Sequence, residues 1–306
     1  MLDYYRTLIA DDSRMLAYRR ALTAVLRRGD TVLDLGCGTG ILSFLACTLD
    51  AGRVVAIDRG HVADAAELLA KHLGFADRIS VLHQDSTTAS LEERAGVLVT
   101  ETLGMLGLDE GILGNVIDAR RRLLLPGARV VPKVVSISFA PIEAPDIYER
   151  HVEWWASEPC GFDLSPLRVH ASNSIYPVTL AAGSFLSTGA ETIVVDLETA
   201  EQPIASGDVT FVASRGGRLH GFGGWFTATL APGISLSSFN GRTHWSQAFL
   251  PLQSPVYVVA GARISLSVES HANGQVWRWR GEIEGSSTVT FDQCTAFDAP
   301  PCRTHR

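Results

Sequence analysis

Two glutamates stand nine positions apart in the stretch VLVTETLGMLGLDEGILGN, residues 97 to 115. The stretch is otherwise largely apolar and rich in glycine, and it contains no lysine or arginine that could neutralise Glu101 or Glu110. A guanidinium is planar, stays protonated near neutral pH and matches carboxylates through bidentate hydrogen bonds. Two unpaired acids in this stretch therefore indicate a clamp for a cation, with a guanidinium as the best candidate.

Glu110 has a simpler interpretation when it is taken alone. Acidic residues favour helix N-termini, and the segment DEGILGNVIDARRRL has a helical pattern at whose start Glu110 would stand. Glu101 is harder to explain in this way, because it follows the largely apolar run GVLVT, which is typical of a strand. Ligands bind at the C-terminal edge of the strands in an open α/β sheet. We therefore expect Glu101 to face a ligand.

A second motif, VLDLGCGTGIL, joins a predicted strand to a predicted helix. Glycines at such a junction let the backbone turn tightly and allow a ligand to press against it. The next strand, VVAID, ends at Asp58, where a carboxylate can accept both hydroxyls of a ribose. A structural turn is the alternative for the glycines alone. The candidate cofactor residues of the motif are an acid, three glycines and the first residue of the helix: Asp34, Gly36, Gly38, Gly40 and Ile41.

The spacing of the glycines distinguishes between two cofactors. NAD sites use G-x-G-x-x-G, whereas this chain has G-x-G-x-G after an acidic residue. Asp34 would repel a pyrophosphate but suits S-adenosylmethionine (SAM), a cationic cofactor with an amino group and no phosphate. The run VLHQDS places Asp85 and Ser86 at a third strand end, where an adenine amino group could be recognised. The motif therefore predicts SAM as the cofactor, with S-adenosylhomocysteine as the product.

A methyl donor beside two acids indicates methyl transfer to a guanidinium nitrogen. A guanidinium is a weak nucleophile, because its nitrogen lone pairs are delocalised. Two carboxylates could draw the positive charge to one face and leave the third nitrogen free to attack the sulfonium methyl. They would also hold that nitrogen in line, and orientation can remove several kcal/mol of barrier. One acid or a histidine relay must finally take the proton that N-methylation releases.

The composition narrows the class of protein. The net charge of -7 provides no basic field for nucleic acid or anionic lipid. The first residues do not resemble a signal peptide, and no apolar run is long enough to span a membrane. These features predict a soluble cytoplasmic protein. Its five cysteines lack CxxC or Cys/His ligand spacing, which argues against a disulfide frame or a metal site: Cys37, Cys47, Cys160, Cys294 and Cys302.

The pattern of predicted secondary structure differs between the two halves of the chain. From about residue 14 to 130, apolar β runs alternate with helical patterns, which predicts a parallel sheet covered by helices. One pattern, NVIDARRRLLLPG, predicts a helix that ends at Pro126-Gly127. The later segments are rich in β-branched and aromatic residues, which predicts antiparallel strands of a barrel or sandwich. Between the two halves, an aromatic and poorly periodic segment, YERHVEWWASEPCGFDLSPLRVHASNSIYP, could be a helical excursion or an arm.

Several motifs together resemble those of protein arginine methyltransferases. TETLGMLGLDE is similar to the double-glutamate loop of that family, and ADDSRMLAYRRAL carries its D-x-x-R pattern. LLLPGARVVP, EWWASEPCGFDLS and RTHWSQ resemble its post-loop segment, the start of its dimerisation arm and its Thr-His-Trp loop. The resemblance implies a short N-terminal lid segment (1–13), a Rossmann-like SAM-binding domain with a parallel-rich sheet (14–132) and an antiparallel β-barrel domain (133–306). The barrel domain would carry a dimerisation arm at about 154–182, which implies a homodimer.

The same resemblance assigns roles to single residues. Arg14 is expected to bind the methionine carboxylate of SAM, and Asp58 its ribose. Asp11 and His244 should pair with each other and act with the two glutamates in catalysis, although His244 taken alone could be a core or interface histidine. The residues implied in substrate binding are Trp245, Thr243 and Met105.

The chain departs from the family pattern at several positions. Only MLDYYRTLI precedes Ala10-Asp11, so the aromatic lid helix is expected to be truncated, with Tyr4 and Tyr5 as its remainder. The other departures lie in the acceptor pocket and near adenine: Thr102-Leu103, Leu8 and Thr87. Because the pocket residues shape the product pattern, the choice between mono- and dimethylation stays open.

Three functions remain open from the sequence. The acceptor is either an arginine in a protein or peptide, or free L-arginine or another small guanidino or amino compound of a bacterial pathway. The scarcity of lysine leans towards a bacterial, small-substrate enzyme. The third possibility is an inactive SAM-binding scaffold, against which the retained glutamates argue.

Overall fold

The computed structural model describes residues 2–239, 241, 243–285 and 287–296. Contacts within the chain divide it into two compact units. The first unit comprises Met1–Ser136, Val194–Pro203 and Phe226–Trp245, and the second comprises Ile137–Ile193, Ile204–Trp225 and Ser246–Arg306. The domain boundaries suggested by the sequence, after residues 13 and 132, remain predictions.

The first unit is built on a five-stranded sheet in which every strand pairs in parallel with its neighbours. Its strands are short apolar runs that are largely buried, as in VVAI of residues 54–57, which fits a parallel sheet covered on both faces. In chain order the elements are α1 Leu2–Ile9, α2 Asp12–Val25, β1 Thr31–Leu35, α3 Ile41–Thr48, β2 Arg53–Asp58, α4 Val62–His72, β3 Ile79–His83, β4 Ala95–Thr100, α5 Ile112–Arg122 and β5 Leu124–Val131.

The strand order β3-β2-β1-β4-β5 creates a crevice at the C-terminal ends of β1 and β4. The chain leaves β1 towards β2 on one side, while β4 lies on the other side, and ligands bind at such a switch point. Leu35 and Thr100, the last residues of the two strands, are register partners. The residues that follow them, Gly36 and Glu101, therefore begin two neighbouring loops at this edge.

The predicted extent of α5 is wrong at its C-terminal end. The helix ends at Arg122, and Leu124 already pairs with Ala95 of β4. The register then shifts before Arg129 pairs with Val97, so Pro126-Gly127 lies in an irregular part of β5 and does not terminate a helix. Pairing with β4 therefore overrides the helical pattern of the leucines.

The later part of the chain forms two antiparallel sheets, in the orders β7-β12-β10-β6-β8, with β11 on β10, and β15-β14-β13-β9. In β13 buried and more exposed residues alternate, so one face of the strand points into a core. These sheets confirm the predicted combination of a Rossmann-like and a β-barrel domain. The strands are β6 Val134–Ile142, β7 Tyr176–Val178, β8 Ala190–Asp196, β9 Ala205–Val212, β10 Gly217–Ala231, β11 Ile234–Ser237, β12 Gln247–Val258, β13 Arg263–His271, β14 Val276–Ile283 and β15 Val289–Cys294.

The aromatic segment between β6 and β7 is a helical excursion. It contains α6 Pro145–His151, three short 3-10 turns and α7 Arg168–Ser172. Tyr148 of α6 is buried in a cluster of the second unit. By contrast, Phe162 is 69% exposed. The use of this segment as a dimerisation arm remains a prediction.

The helices of the described chain are short. The longest of them, α2, has 14 residues. Among the described residues, no helix is both long and apolar enough to cross a membrane.

Candidate active site

Glu101 directly follows β4, and only 7% of its side chain is exposed. Arg14 of α2 holds its carboxylate, with Nε 2.8 Å and Nη2 2.5 Å from Oε2. The expectation that no cation neutralises this acid is therefore wrong for Glu101. Its partner stands 87 positions earlier in the chain, so the local sequence could not reveal the pair. Neither hydrogen bond uses Oε1.

Glu110 lies in the glycine-rich loop that links β4 to α5. Gly111, which follows it, has a left-handed φ of 81° and caps α5, so Glu110 precedes the helix and does not begin it. Burial raises the pKa of Glu101, Arg14 opposes this change, and the Glu110 carboxylate adds to it. The pKa of Glu110 is raised by partial desolvation and by Asp109, although the residue still reaches solvent. The Glu110 carboxylate therefore lies close enough to affect the pKa of Glu101.

Asp11 joins α2 to a loop that lies more than 200 positions away in sequence. Its Oδ1 accepts the backbone N–H of Arg14 at 2.9 Å and caps α2. Its Oδ2 accepts the backbone N–H of His244 at 2.8 Å and lies 3.0 Å from His244 Nδ1. Burial alone would raise the pKa of Asp11, but these hydrogen bonds outweigh it and the pKa is lowered. One carboxylate therefore positions both Arg14 and His244.

Aromatic packing holds the His244 loop. The His244 ring lies 4.1 Å from the ring of Trp245, which in turn packs edge-on against Phe226 at 5.1 Å. Thr243 Oγ1 donates to the Ser237 carbonyl at 3.3 Å. Met105 is half-buried in the loop that carries the two glutamates. The predicted substrate residues therefore occupy two loops of the first unit.

The glycine motif forms a tight loop after β1. Gly36, Gly38 and Gly40 all have left-handed φ values, of 73°, 54° and 82°. Asp58 at the end of β2 accepts the N–H of Gly38 at 2.9 Å and that of Gly60 at 2.7 Å. A Cβ at Gly36 would lie 2.7 Å from Thr102 Cγ2. The loop therefore packs directly against the residue that follows Glu101.

Asp34 is a buried acid at the C-terminal half of β1. Ser43 of α3 donates to Oδ2 at 2.6 Å, whereas Oδ1 has no hydrogen-bond partner in the described part of the chain. Burial raises the pKa of Asp34 to about 6, against the lowering effect of Ser43. Ile41, the first residue of α3, is half-buried beside this loop. A buried acceptor without a partner fits a cofactor that brings its own donor, such as the amino group of SAM.

Helix α1 lies against the glycine loop, and no sequence pattern predicted a specific contact for its tyrosines. A Cβ at Gly38 would lie 2.8 Å from Tyr5 Cε1, so the Tyr5 ring packs on this glycine. Tyr4 meets Tyr5 edge-on at 5.5 Å. Burial, followed by the charge of Asp58, raises the pKa of Tyr5 to about 12. The pKa of Tyr4 is raised by burial and then by the two glutamates, so α1 borders both the loop and the acids.

Asp85 and Ser86 follow β3 in a short turn. Asp85 Oδ1 accepts the N–H and the hydroxyl of Thr87, at 2.9 and 2.6 Å, and these bonds lower the pKa of Asp85. The Ser86 carbonyl accepts a hydrogen bond from Nη2 of Arg122 at 2.7 Å. Both residues are engaged in local contacts, and their contact with adenine remains a prediction.

Comparison with known proteins gives the family. The model of the arginine methyltransferase oligomerization subdomain matches residues 134–283, and that of ribosomal protein L11 methyltransferase matches residues 19–106. Protein arginine N-methyltransferase 6 of Danio rerio is 30% identical over 279 residues, which cover 85% of this chain and 79% of that protein. The chain belongs to the protein arginine methyltransferase family. This membership confirms the resemblance seen in the sequence, the predicted enzyme class and SAM as its cofactor.

Other members of the arginine methyltransferase family match over different lengths. Arginine N(omega)-methyltransferase of Streptomyces achromogenes subsp. streptozoticus is 30% identical and is covered over 74% of its length, by 86% of this chain. The probable protein arginine N-methyltransferase 6 of Arabidopsis thaliana is 31% identical, but the match spans 72% of this chain and only 53% of that protein. Among solved structures, a chain of the Trypanosoma brucei PRMT1 enzyme–prozyme heterotetrameric complex with AdoHcy superimposes with a TM-score of 0.85. It is 23% identical, with 95% of this chain and 96% of that chain covered, and therefore shows the fold.

Proposed function

We propose that this arginine methyltransferase transfers a methyl group from SAM to a guanidinium nitrogen held between Glu101 and Glu110. The observation that carries the proposal is the position of Glu101. It is a buried acid that leaves β4 at the sheet switch point, and the next residue, Thr102, packs on Gly36 of the cofactor loop. An acceptor bound to Glu101 would lie beside a cofactor bound to that loop.

The charges of the site support a single cationic acceptor. With both glutamates ionised, Glu101 and Glu110 carry one more negative charge than Arg14 balances, and one guanidinium would neutralise it. Because Arg14 bonds only to Oε2, Glu101 Oε1 can accept an N–H of the acceptor. Low-dielectric surroundings strengthen such charge-assisted bonds. The clamp would therefore orient the guanidinium and bias its charge away from the reacting nitrogen.

The residues of the glycine loop fit SAM, which supplies the sulfonium methyl when it is bound. We propose that Asp58 accepts the ribose hydroxyls and that Asp34 Oδ1 accepts the amino group. We also propose that Ile41 and the loop glycines border the cofactor. Arg14 was expected to bind the methionine carboxylate, and its two bonds to Glu101 give it a second task, the stabilisation of a buried acid.

The released proton requires an acceptor. If Nδ1–H of His244 donates to Asp11, then Nε2 is left as a free base, and the carboxylate stabilises the imidazolium that forms. The lowered pKa of Asp11 keeps that carboxylate ionised. We therefore propose that the Asp11–His244 pair takes up the proton. We further propose that Trp245, Thr243 and Met105 line the acceptor pocket.

Two classes of acceptor fit such a clamp, an arginine in a protein or peptide and free L-arginine. The relative from Danio rerio is named for protein arginine, whereas the relative from Streptomyces is named for arginine itself, and both are 30% identical to this chain. A competition reaction with SAM, free L-arginine and a glycine-arginine-rich peptide, followed by mass spectrometry, distinguishes them. One methyl group adds about fourteen mass units, and the compound whose mass increases by this amount shows which class of acceptor the enzyme uses.

The clamp is tested with the Glu101→Gln and Glu110→Gln variants. A glutamine keeps the size of the side chain but removes the charge, so each variant should lose at least about 100-fold in turnover. Binding of S-adenosylhomocysteine, measured by calorimetry, should stay within about threefold of the original. Glu67→Gln changes an exposed acid on α4 and serves as the matched control. Wild-type turnover by the Glu101→Gln enzyme would show that the clamp is not needed, and cofactor binding without turnover by the unaltered protein would favour the scaffold interpretation.

A further inference from the structure

Three side chains that commonly bind metals come together at one edge of the first unit. His61, Asp64 and His83 each offer a ligand atom, and these atoms all lie within 4.8 Å of one another. Within residues 2–239, 241, 243–285 and 287–296, they form the one such group of three or more. None of the three has a part in the proposed methyl transfer. The spacing of cysteines and histidines along the chain did not predict this group.

The distances fit a tetrahedral ion. His83 Nδ1 lies 3.3 Å from Asp64 Oδ1. Ligand atoms about 2.1 Å from a tetrahedral zinc ion are separated from each other by roughly 3.4 Å. The first two ligands are therefore already at the required separation. The ligand atom of His61 lies within 4.8 Å of the other two, so a rotation of this exposed side chain that moves the atom by at most about 1.5 Å would complete the set.

Regular structure fixes the backbone of each ligand. His83 is the last residue of β3, and it is the register partner of Asp58 in β2. Asp64 lies in the first turn of α4, and His61 caps that helix without a side-chain capping bond. The two imidazole rings already meet edge-on, with their centroids 5.4 Å apart. The end of β3 and the start of α4 thus hold the three side chains on one patch.

The ligand types identify the class of ion. Imidazole nitrogen and carboxylate oxygen suit borderline cations such as Zn²⁺, whereas Mg²⁺ and Ca²⁺ prefer oxygen ligands alone. Three protein ligands on an exposed patch leave the fourth position of a tetrahedral ion to water. We propose that His61, Asp64 and His83 form a binding site for a divalent transition-metal ion of the Zn²⁺ type.

The alternative is a simple surface ion pair between Asp64 and His83. Their side chains are 71% and 37% exposed, and such pairs contribute little to stability. A simple pair would give His61 no function, whereas a metal site needs all three residues. The positive end of α4 opposes a cation, and Asp64 counters that effect within the first turn. The contribution of His61 therefore distinguishes the two explanations.

The test is zinc binding by the full chain, prepared without a histidine tag and treated with a chelator. Zn²⁺ affinity is measured by competition with a chromophoric chelator in the absence of SAM, so the result does not depend on methyl transfer. We expect one ion per chain, and His61→Ala and His83→Ala should each weaken binding by at least about tenfold. His72→Ala, at the exposed end of α4, is the matched control and should bind as the unaltered protein does.

A second readout confirms that the variants are folded. Zn²⁺ should raise the midpoint of thermal unfolding of the unaltered protein and of His72→Ala, because it binds the folded state, but not that of His83→Ala. Mg²⁺ should have no effect in any of them. Absence of zinc binding would overturn the proposal. It would also be overturned if full affinity survives in either His61→Ala or His83→Ala, because the proposed site needs both histidines.

Discussion

At the scale of single residues, Arg14 and Glu101 form an ion pair whose side chains are 5% and 7% exposed. Removing both charges from water is costly, and the pair recovers that cost through two hydrogen bonds and through the bond of Arg14 Nη1 to the Leu8 carbonyl. Such a pair is sensitive to the loss of one partner, because the remaining charge stays buried. The pair therefore links the stability of the fold to Glu101, an acid of the proposed clamp.

Replacing Arg14 by methionine should destabilise the protein by about 3–5 kcal/mol, because the Glu101 charge is left without a partner. The free energy of unfolding in urea measures the effect. The double variant Arg14→Met/Glu101→Gln should lose clearly less, since no buried charge remains. Arg6→Met breaks the exposed pair with Asp3 and should cost less than about 1 kcal/mol. Equal losses in the single and double variants would contradict this account.

Asp34 should make the stability depend on pH. Its pKa is raised to about 6 by burial, against about 3.9 in the unfolded chain. The folded state keeps the proton that the unfolded state releases, so this contribution is complete below about pH 4 and is lost as the pH rises to about 6. The loss is on the order of 2–3 kcal/mol. Urea unfolding at pH 4 and pH 7 should show this loss of stability in the unaltered protein but not in Asp34→Asn. An identical pH dependence of the two proteins would refute the assignment to Asp34.

At the scale of elements, the site depends on how the ends of β1 and β4 are tied together. Thr100 donates its hydroxyl to the Leu35 carbonyl at 2.7 Å, and Tyr18 of α2 donates to the Thr100 carbonyl at 2.9 Å. The loop after β1 then packs on Thr102, where a side chain at Gly36 has no room. The glycine loop after β1 and the loop after β4 are therefore coupled through these side-chain contacts.

The coupling is tested by Gly36→Ala, with Gly74→Ala as its control. Both glycines have left-handed φ values, of 73° and 76°, but a Cβ at Gly74 would meet nothing within 4 Å. Both variants should lose about 1–3 kcal/mol of stability through backbone strain. Only Gly36→Ala should also weaken binding of S-adenosylhomocysteine, by at least about tenfold, as measured by calorimetry. Unchanged affinity in Gly36→Ala would show that the loop tolerates displacement.

At the scale of the whole molecule, the question is the oligomeric state. The matched oligomerization subdomain covers residues 134–283, and the helical excursion between β6 and β7 lies within it. The second unit exposes Phe162 by 69% and Trp154 by 47% on this excursion. Large exposed apolar side chains of this kind are common at protein interfaces. We propose that they contribute to a homodimer.

Light scattering of the unaltered chain should give about twice the monomer mass of 33.0 kDa. Phe162→Asp places a charge in the proposed interface and should shift the protein towards the monomer, with a loss of at least about tenfold in dimer affinity. Tyr257→Asp changes an equally exposed aromatic residue of β12 and should leave the dimer intact. A monomeric unaltered protein at micromolar concentration would contradict the proposal.

Local pattern was enough to predict most elements of the first unit. The runs that form β1 and β2, the glycine loop and the acid at the end of β4 were all found in the sequence, because burial and turn geometry constrain neighbouring residues. The end of α5 was missed, because Leu124 gains a strand partner in β4 that no local pattern encodes. Pairing between distant segments overrides a weak helical preference.

The sequence by itself determined the family of the chain, the residue types of the proposed clamp and the glycine loop after β1, since these depend on order and spacing. Only the tertiary structure decided which charges meet. It paired Glu101 with Arg14, joined Asp11 to His244 across 233 positions, and gathered His61, Asp64 and His83 from two elements. Ion pairs, hydrogen bonds and groups of ligand atoms require distances of a few ångströms. The order of residues does not specify these distances, because they are set only when the sheet and its helices pack together.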